Sequence, residues 1–177
     1  MKKSYLSEIK KSMEFLSKNK NTIFIGQAVD VPGNLIYKSL TDIPSGKKIE
    51  TPIFEDTQMG IATGLSLEGF IPVNCYPRFD FFILALNQFI NHLDKINYLS
   101  SNQLKPFVIN RVIVGSKKPI DGGMQHTMDY SKAMKKMLKF TNVVELKDTN
   151  KIYNSYLSAY KKRQNTLFVE YSEKYVD

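Results

Sequence analysis

A chain of 177 residues, 42% hydrophobic and 24% charged, with nine Gly, seven Pro and no Trp, has room for one compact domain and hardly two. It can bury roughly two-thirds of its unfolded surface without a disulfide or metal staple, and its composition excludes a disordered chain, collagen and a disulfide scaffold. The formal net charge is +8, yet all but three of the 25 basic residues are Lys, scattered in pairs among acids. Planar, bidentate recognition of phosphates and bases favours Arg, so a solvated basic surface is expected and no nucleic-acid partner, with an acidic partner or anionic substrate left open.

The first 16 residues, MKKSYLSEIKKSMEFL, keep charge throughout and lack the apolar core of a signal peptide. The longest apolar run, 81–86, is far below the ~18 residues of a membrane-spanning helix. One thiol, Cys75, suits a reducing compartment. A cytoplasmic protein without a membrane partner is expected.

Tyr5, Ile9, Met13 and Leu16 form one helical stripe after a plausible cap, Ser4. A short buried strand over 22–25 ends at Gly26, and a stretch punctuated by Pro32, Gly33, Pro44 and Gly46 follows. A second strand is expected over 48–50, a helix over 56–68 closed by Gly69, and a strand over 70–76. Phe82, Ala85, Leu86, Phe89, Ile90, Leu93 and Ile96 then make a wide apolar helical face. The most apolar strand is expected over 107–114, followed by a helix carrying Met134 and Leu138 and a strand over 142–146. A helix with Ile152 and Tyr156 and a strand over 166–171 close the chain. This alternation predicts an α/β fold in three layers, α/β/α, around a mostly parallel sheet of about six strands. Ligands in such folds sit beyond the carboxyl ends of the strands, which singles out residues 26–32, 52–56, 76–81 and 115–126.

Neither G-x-x-x-x-G-K-[ST] nor G-x-G-x-x-G occurs, and the two histidines, His92 and His126, have no ligand spacing for zinc. No metal ligands are expected. His92 reads as a surface or structural residue within a helix. His126 closes a polar loop after a strand, where an imidazole either faces a ligand or caps the next helix. Glu55, by itself, reads as a helix-start acid favoured by the macrodipole. Tyr76, Phe79, Phe81 and Phe82 read, by themselves, as core.

The order of the pieces says more. Thr51-Pro52-Ile53-Phe54-Glu55, Gly60-Ile61-Ala62-Thr63-Gly64, Gly69-Phe70-Ile71-Pro72-Val73, Asp80-Phe81, Asn87-Gln88-Phe89-Ile90-Asn91 and Gln125-His126-Thr127 follow one another. Together they resemble the pyrimidine-binding domain of transketolase-like thiamine diphosphate enzymes, most of all the beta subunit of 2-oxo-acid dehydrogenase decarboxylases. Phe24-Ile25-Gly26 and the tail Thr166-Leu167-Phe168-Val169-Glu170 fit that domain's first and last strands. The resemblance runs from about residue 21 to the end, so residues 1–177 are expected to be a single such domain, without the further C-terminal domain of those beta subunits.

The resemblance implies thiamine diphosphate as cofactor, with Mg2+ held mainly by a diphosphate-binding, alpha-type partner chain, since no Gly-Asp-Gly occurs here. It implies Glu55 as the carboxyl group that activates the cofactor's aminopyrimidine and His126 as a second catalytic residue. Phe81, Ile53 and Gln27 are implied as further cofactor contacts. The reaction would be decarboxylation of a 2-oxo acid or transfer of a two-carbon or acyl unit, inactive without the partner. Self-association into a dimer or a two-plus-two hetero-oligomer is expected, through an apolar surface around Phe79, Phe81 and the Gly60–Gly64 helix. Gln27 and Ala28 stand where the family often has acids, and Pro77-Arg78 where it is commonly apolar. Two alternatives stay open: a stand-alone decarboxylase, carboligase or transketolase-like half enzyme without a lipoyl acceptor, and a catalytically silent assembly module.

Overall fold

The computed structural model describes residues 3–118 and 121–175. Six strands form one sheet: β1 (Thr22–Gly26), β2 (Lys48–Glu50), β3 (Ile71–Tyr76), β4 (Ile109–Val114), β5 (Asn142–Glu145) and β6 (Thr166–Tyr171). Their order is β2-β1-β3-β4-β6-β5, and every pairing is parallel. The helices are α1 (Tyr5–Ser17), α2 (Leu35–Ser39), α3 (Glu55–Leu67), α4 (Phe79–Phe82), α5 (Ile96–Leu99), α6 (Met124–Thr127), α7 (Ser131–Met137) and α8 (Ile152–Lys162). The α/β fold expected from the alternating pattern is therefore present, with an all-parallel sheet.

Strand side chains alternate between the two covered faces. Phe24, Val73, Ile109 and Phe168 pack with Ile9, Met13 and Leu16 of α1, Ile36 of α2 and Tyr156 of α8. Ile25, Tyr76, Val112 and Val169 pack on the other face with Met59 and Ala62 of α3, Phe79 and Phe82 of α4, Phe89, and Met134 of α7. Each large side chain so buried contributes roughly 1.5–3 kcal/mol, so the two faces together outweigh any single surface contact. Among the described residues no helix is long and apolar enough to cross a membrane.

Ser4 caps α1 by accepting from the Ser7 amide at 3.2 Å. Two expectations are redrawn. β4 starts at Ile109 rather than 107, because the amides of Phe107 and Val108 bond to Ser66 Oγ (2.6 Å) and Asn165 Oδ1 (2.8 Å) instead of to a strand. The wide apolar helix is not one regular cylinder. It tightens into a 3-10 turn at Ile83–Ala85, widens into a π-helical stretch at Asn87–Leu93, and resumes as α5. This succession keeps Phe82, Ala85, Phe89 and Leu93 all buried, which the plain 3.6-residue repeat over so wide an apolar set did not specify.

Candidate functional site

The chain leaves β1 toward β2 on one side and crosses back to β3 on the other, so the crevice beyond the carboxyl ends of β1 and β3 is the topological switch point of the sheet. Gln27 follows β1, Pro77 and Arg78 follow β3, and Glu55 opens α3 after β2. Glu55 is 4% exposed. Its Oε1 accepts from Gln27 Nε2 at 3.0 Å, and its Oε2 has no hydrogen-bond partner among the described residues. This free oxygen is not among the fully buried unpaired atoms, so it opens into the crevice, where a further donor can reach it.

The start of α3 is held from below by a network that the sequence reading missed. Gln58 Nε2 donates to Asn74 Oδ1 (2.6 Å) and to the Cys75 carbonyl (3.1 Å). Asn74 Nδ2 reaches Tyr76 Oη and Asn110 Oδ1, both at 3.1 Å, and the Tyr76 hydroxyl donates to the Glu55 carbonyl at 3.2 Å. Burial pushes the Tyr76 phenol pKa well up, with Glu55 adding to it, so this hydroxyl stays protonated and donating. The signal was present: Asn74 in β3, and Asn110 beside Arg111 in β4, stand in strands buried on both faces, where a polar side chain needs partners.

The loop after β1 is fixed by charge. Glu50 accepts from the amides of Ala28 (2.6 Å) and Asp30 (2.8 Å), and Lys48 pairs with Asp30 at 2.6 Å. Ala28 thereby sits at φ 63, a conformation disfavoured for a residue with a Cβ. Arg78 is half-buried and donates to the Pro77 carbonyl at 2.7 Å; burial lowers its pKa and Asp80 partly offsets this.

The four aromatics divide. Tyr76, Phe79 and Phe82 are fully buried in edge-to-face contacts, so the expected exposed surface does not include Phe79. Phe81 is half-buried and meets the His126 ring edge-on at 5.4 Å. His126 Nδ1 lies 2.8 Å from the Gly122 carbonyl. That oxygen only accepts, so Nδ1 carries the proton and Nε2 is the ring atom left for a ligand. Only glycine permits this packing. A Cβ on Gly115 would lie 1.9 Å from the His126 carbonyl oxygen, and one on Gly122 would lie 2.9 Å from the His126 Cβ.

Beside this pair an open groove of about 450 Å3 runs along Phe81, Leu84, Met124 and Met128, with Asp80 in its wall. Tyr130 donates to Asp80 Oδ1 at 3.3 Å, while Asp80 Oδ2 is buried without a partner among the described residues. Leu84 and Met124 are strongly exposed, and Ile53 is 81% exposed on the turn before Glu55. The structure thus joins Gln27 to Glu55 and Phe81 to His126 at one end of the sheet, and leaves Ile53 in solvent. His92 is exposed, and among the described residues no three His, Cys, Asp or Glu are grouped to hold a metal.

No family model matches the chain. It is 32% identical over 97 residues, 54% of its own length, to the pyruvate dehydrogenase E1 component subunit beta-2, mitochondrial, of Oryza sativa subsp. japonica. Against the corresponding beta subunit of Saccharomyces cerevisiae it is 27% identical over 121 residues. It spans only 25% and 32% of the length of these two relatives. Among solved structures it superposes on a split-gene transketolase, described as an inactive beta4 tetramer, with a TM-score of 0.65 at 16% identity, covering 97% of this chain and 52% of that one. The resemblance read from the ordered motifs is borne out: in sequence the chain is similar to beta subunits of the pyruvate dehydrogenase E1 component, and in fold to about half of a split-gene transketolase chain.

Proposed function

We propose that residues 1–177 form one transketolase-like pyrimidine-binding domain, the subunit of a two-component thiamine diphosphate enzyme that decarboxylates a 2-oxo acid or transfers the resulting two-carbon or acyl unit. The observation that carries this reading is Glu55: a buried carboxyl group at the switch point of a parallel sheet, held through one oxygen by Gln27 and with the other unengaged. That arrangement fits a hydrogen bond to a ring nitrogen of the aminopyrimidine. When bound, thiamine diphosphate supplies the nucleophilic carbon and the electron sink that cleavage next to a carbonyl requires.

The chain's own residues then have distinct tasks. Glu55 holds and exchanges a proton at the pyrimidine ring, and the Gln27 amide fixes its orientation. Phe81 offers the ring an apolar face, and His126 Nε2 is placed to hold or move a proton on the substrate's carbonyl or carboxylate. Ile53, projecting from this chain, would meet the cofactor only once a second chain closes over it. Mg2+ belongs mainly to that chain, since no donor set among the described residues suits it. The exposed apolar side chains Ile53, Leu84 and Met124 support burial against such an alpha-type partner, and self-association in its absence.

The test is reconstitution with a neighbouring chain that carries a Gly-Asp-Gly…Asn motif. The mixture should bind thiamine diphosphate with Mg2+ and turn over pyruvate or another 2-oxo acid, and neither chain should do so separately. Replacing His126 by Ala should lower turnover by ~10²–10⁴ with cofactor binding retained. Tight cofactor binding and turnover by the partner-free chain would overturn the split site, and a complex that binds no cofactor would make this chain an assembly module.

A further inference from the structure

The opposite end of the sheet carries a second concavity. At the amino ends of β4, β5 and β6 a cleft of about 440 Å3 is bordered by Tyr98, Asn102, Lys105, Phe140, Lys162 and Arg163, a size that suits a small ligand. Lys105 precedes β4, while Lys162 and Arg163 precede β6. Among the described residues none of these three cations is in an ion pair. The one carboxylate lining the cleft, Asp94, is 2% exposed and already accepts from the amides of Lys139, Phe140 and Thr141 at 2.9, 2.9 and 2.7 Å. The cleft is therefore positively charged, and its acid is engaged in holding the Phe140 backbone.

Two independent features mark this place. The first is an aromatic platform: Tyr98 stacks on Phe140, with centroids 5.8 Å apart and planes 22° apart, and Tyr98 remains 71% exposed. The second is backbone strain. Four non-glycine residues of the described chain have positive φ. Ala28 lies at the site proposed above, and Ser101, Asn102 and Arg163 lie at or beside this cleft. Arg163 ends α8 at φ 48, where glycine is the usual residue, with its guanidinium 5.1 Å over the Phe107 ring. Strained positions of this kind cluster at ligand clamps. The π-helical stretch Asn87–Leu93, a form frequent at functional sites, runs directly into the same cleft.

We propose that the amino-end cleft binds a small phosphorylated ligand carrying a planar ring, a nucleotide by its chemistry, with the phosphate against Lys105, Lys162 and Arg163 and the ring on Tyr98. Lysine ammonium groups and a guanidinium fork both suit phosphate oxygens, and a tyrosine face accepts a flat heterocycle whatever its edge pattern. The site does not depend on the thiamine diphosphate reading.

Titration calorimetry of the full 177-residue chain with ADP, with inorganic phosphate and with adenosine tests it. ADP should bind more tightly than either part, and more weakly as salt rises. Arg163→Gly should lower ADP affinity at least tenfold while the melting temperature holds or rises, because glycine relieves the left-handed strain. Tyr98→Ala should weaken ADP and leave phosphate binding intact, and Lys38→Ala, an exposed cation on α2, should change neither. Absence of ADP binding at millimolar concentration overturns the proposal. So does unchanged ADP affinity in Arg163→Gly, an equal loss in Lys38→Ala, or a single-stranded oligonucleotide that binds these residues more tightly than ADP.

Discussion

The two faces of the same central strands carry two buried polar clusters of different kinds. On the face toward α1 and α8, Arg111 donates to both oxygens of Glu170, at 2.7 and 3.0 Å, and to Ser39 Oγ at 2.9 Å. Tyr156 and Tyr175 complete the shell of Glu170. Burial is the largest single influence and opposes the charged guanidinium, but the Glu170 carboxylate together with Tyr156, Cys75 and Tyr175 outweighs it and holds the Arg111 pKa above its ordinary value. The neighbouring Cys75 thiol is pushed up to about 11, chiefly by burial, and is unreactive. On the opposite face, one residue along each strand, Asn74 and Asn110 build a neutral chain through Gln58 and Tyr76 to the main-chain carbonyl of Glu55, with Asn110 Nδ2 lacking a partner among the described residues. The first cluster is closed and carries charge. The second ends at the main chain of Glu55, whose carboxyl group keeps one oxygen unengaged. Removing a partner should therefore cost stability on one face and function on the other.

The sharpest way to break that contrast is Glu55→Gln. In the reconstituted two-chain enzyme its turnover should fall at least ~10³-fold, as for a positioned proton-transfer group. The melting temperature should move by no more than a helix-start charge worth ~0.3–1 kcal/mol allows. Near-wild-type turnover would place Glu55 among ordinary helix-start acids. Arg111→Ala should do the reverse, leaving Glu170 buried and uncompensated at a cost of about 3–5 kcal/mol, a drop of roughly 10 °C in melting temperature. Pairing Arg111→Met with Glu170→Leu should recover much of this, and a single variant that melts like the wild type would remove the closed cluster from the stability account.

Asn74→Ala lies between the two. Stranding the Asn110 amide and removing one bond each from Gln58 and Tyr76 should cost about 1–3 kcal/mol and also lower turnover, because the start of α3 loses part of its support. Turnover unchanged per folded molecule would uncouple the neutral chain from Glu55.

The smallest effect belongs to two ion pairs that share one carboxylate at the sheet's rim. Lys135 and Lys147, by donating hydrogen bonds, hold the Glu145 carboxyl near a pKa of about 2, below its ordinary 4.5. A depressed carboxyl pKa stabilises the fold above the unfolded value, and that contribution disappears as pH falls from about 4.5 toward 2. Solvent screening keeps it below about 1 kcal/mol. Urea denaturation at pH 5 and pH 3 should show this loss in the wild type and not in Glu145→Gln; equal losses would assign it elsewhere.

How much of this was legible beforehand follows from what each signal depends on. Strand positions and the order of the layers rest on apolar periodicity and Gly/Pro punctuation, which are local, so β2 and β6 fall on the residues expected of them. The Glu55 and His126 positions rested on an ordered set of motifs, and their placement beyond the strand ends followed from the parallel alternation. The break in the helix over 83–93 had no local signature, since tight and wide turns there answer to packing against the sheet.

Sequence alone determined the α/β class, the end of the sheet where Gln27, Glu55, Phe81 and His126 gather, and the family likeness, because each is written in short-range pattern and order. Tertiary structure alone decided that Arg111 meets Glu170, 59 residues away, and that Asn74 meets Asn110. It also decided that Phe79 turns inward while Phe81 faces His126, and that Lys105, Lys162 and Arg163 converge beside Tyr98. The reason is physical: a buried charge or amide needs a partner, but which one lies within about 3 Å is set by strand register and crossover, not by neighbours in the chain.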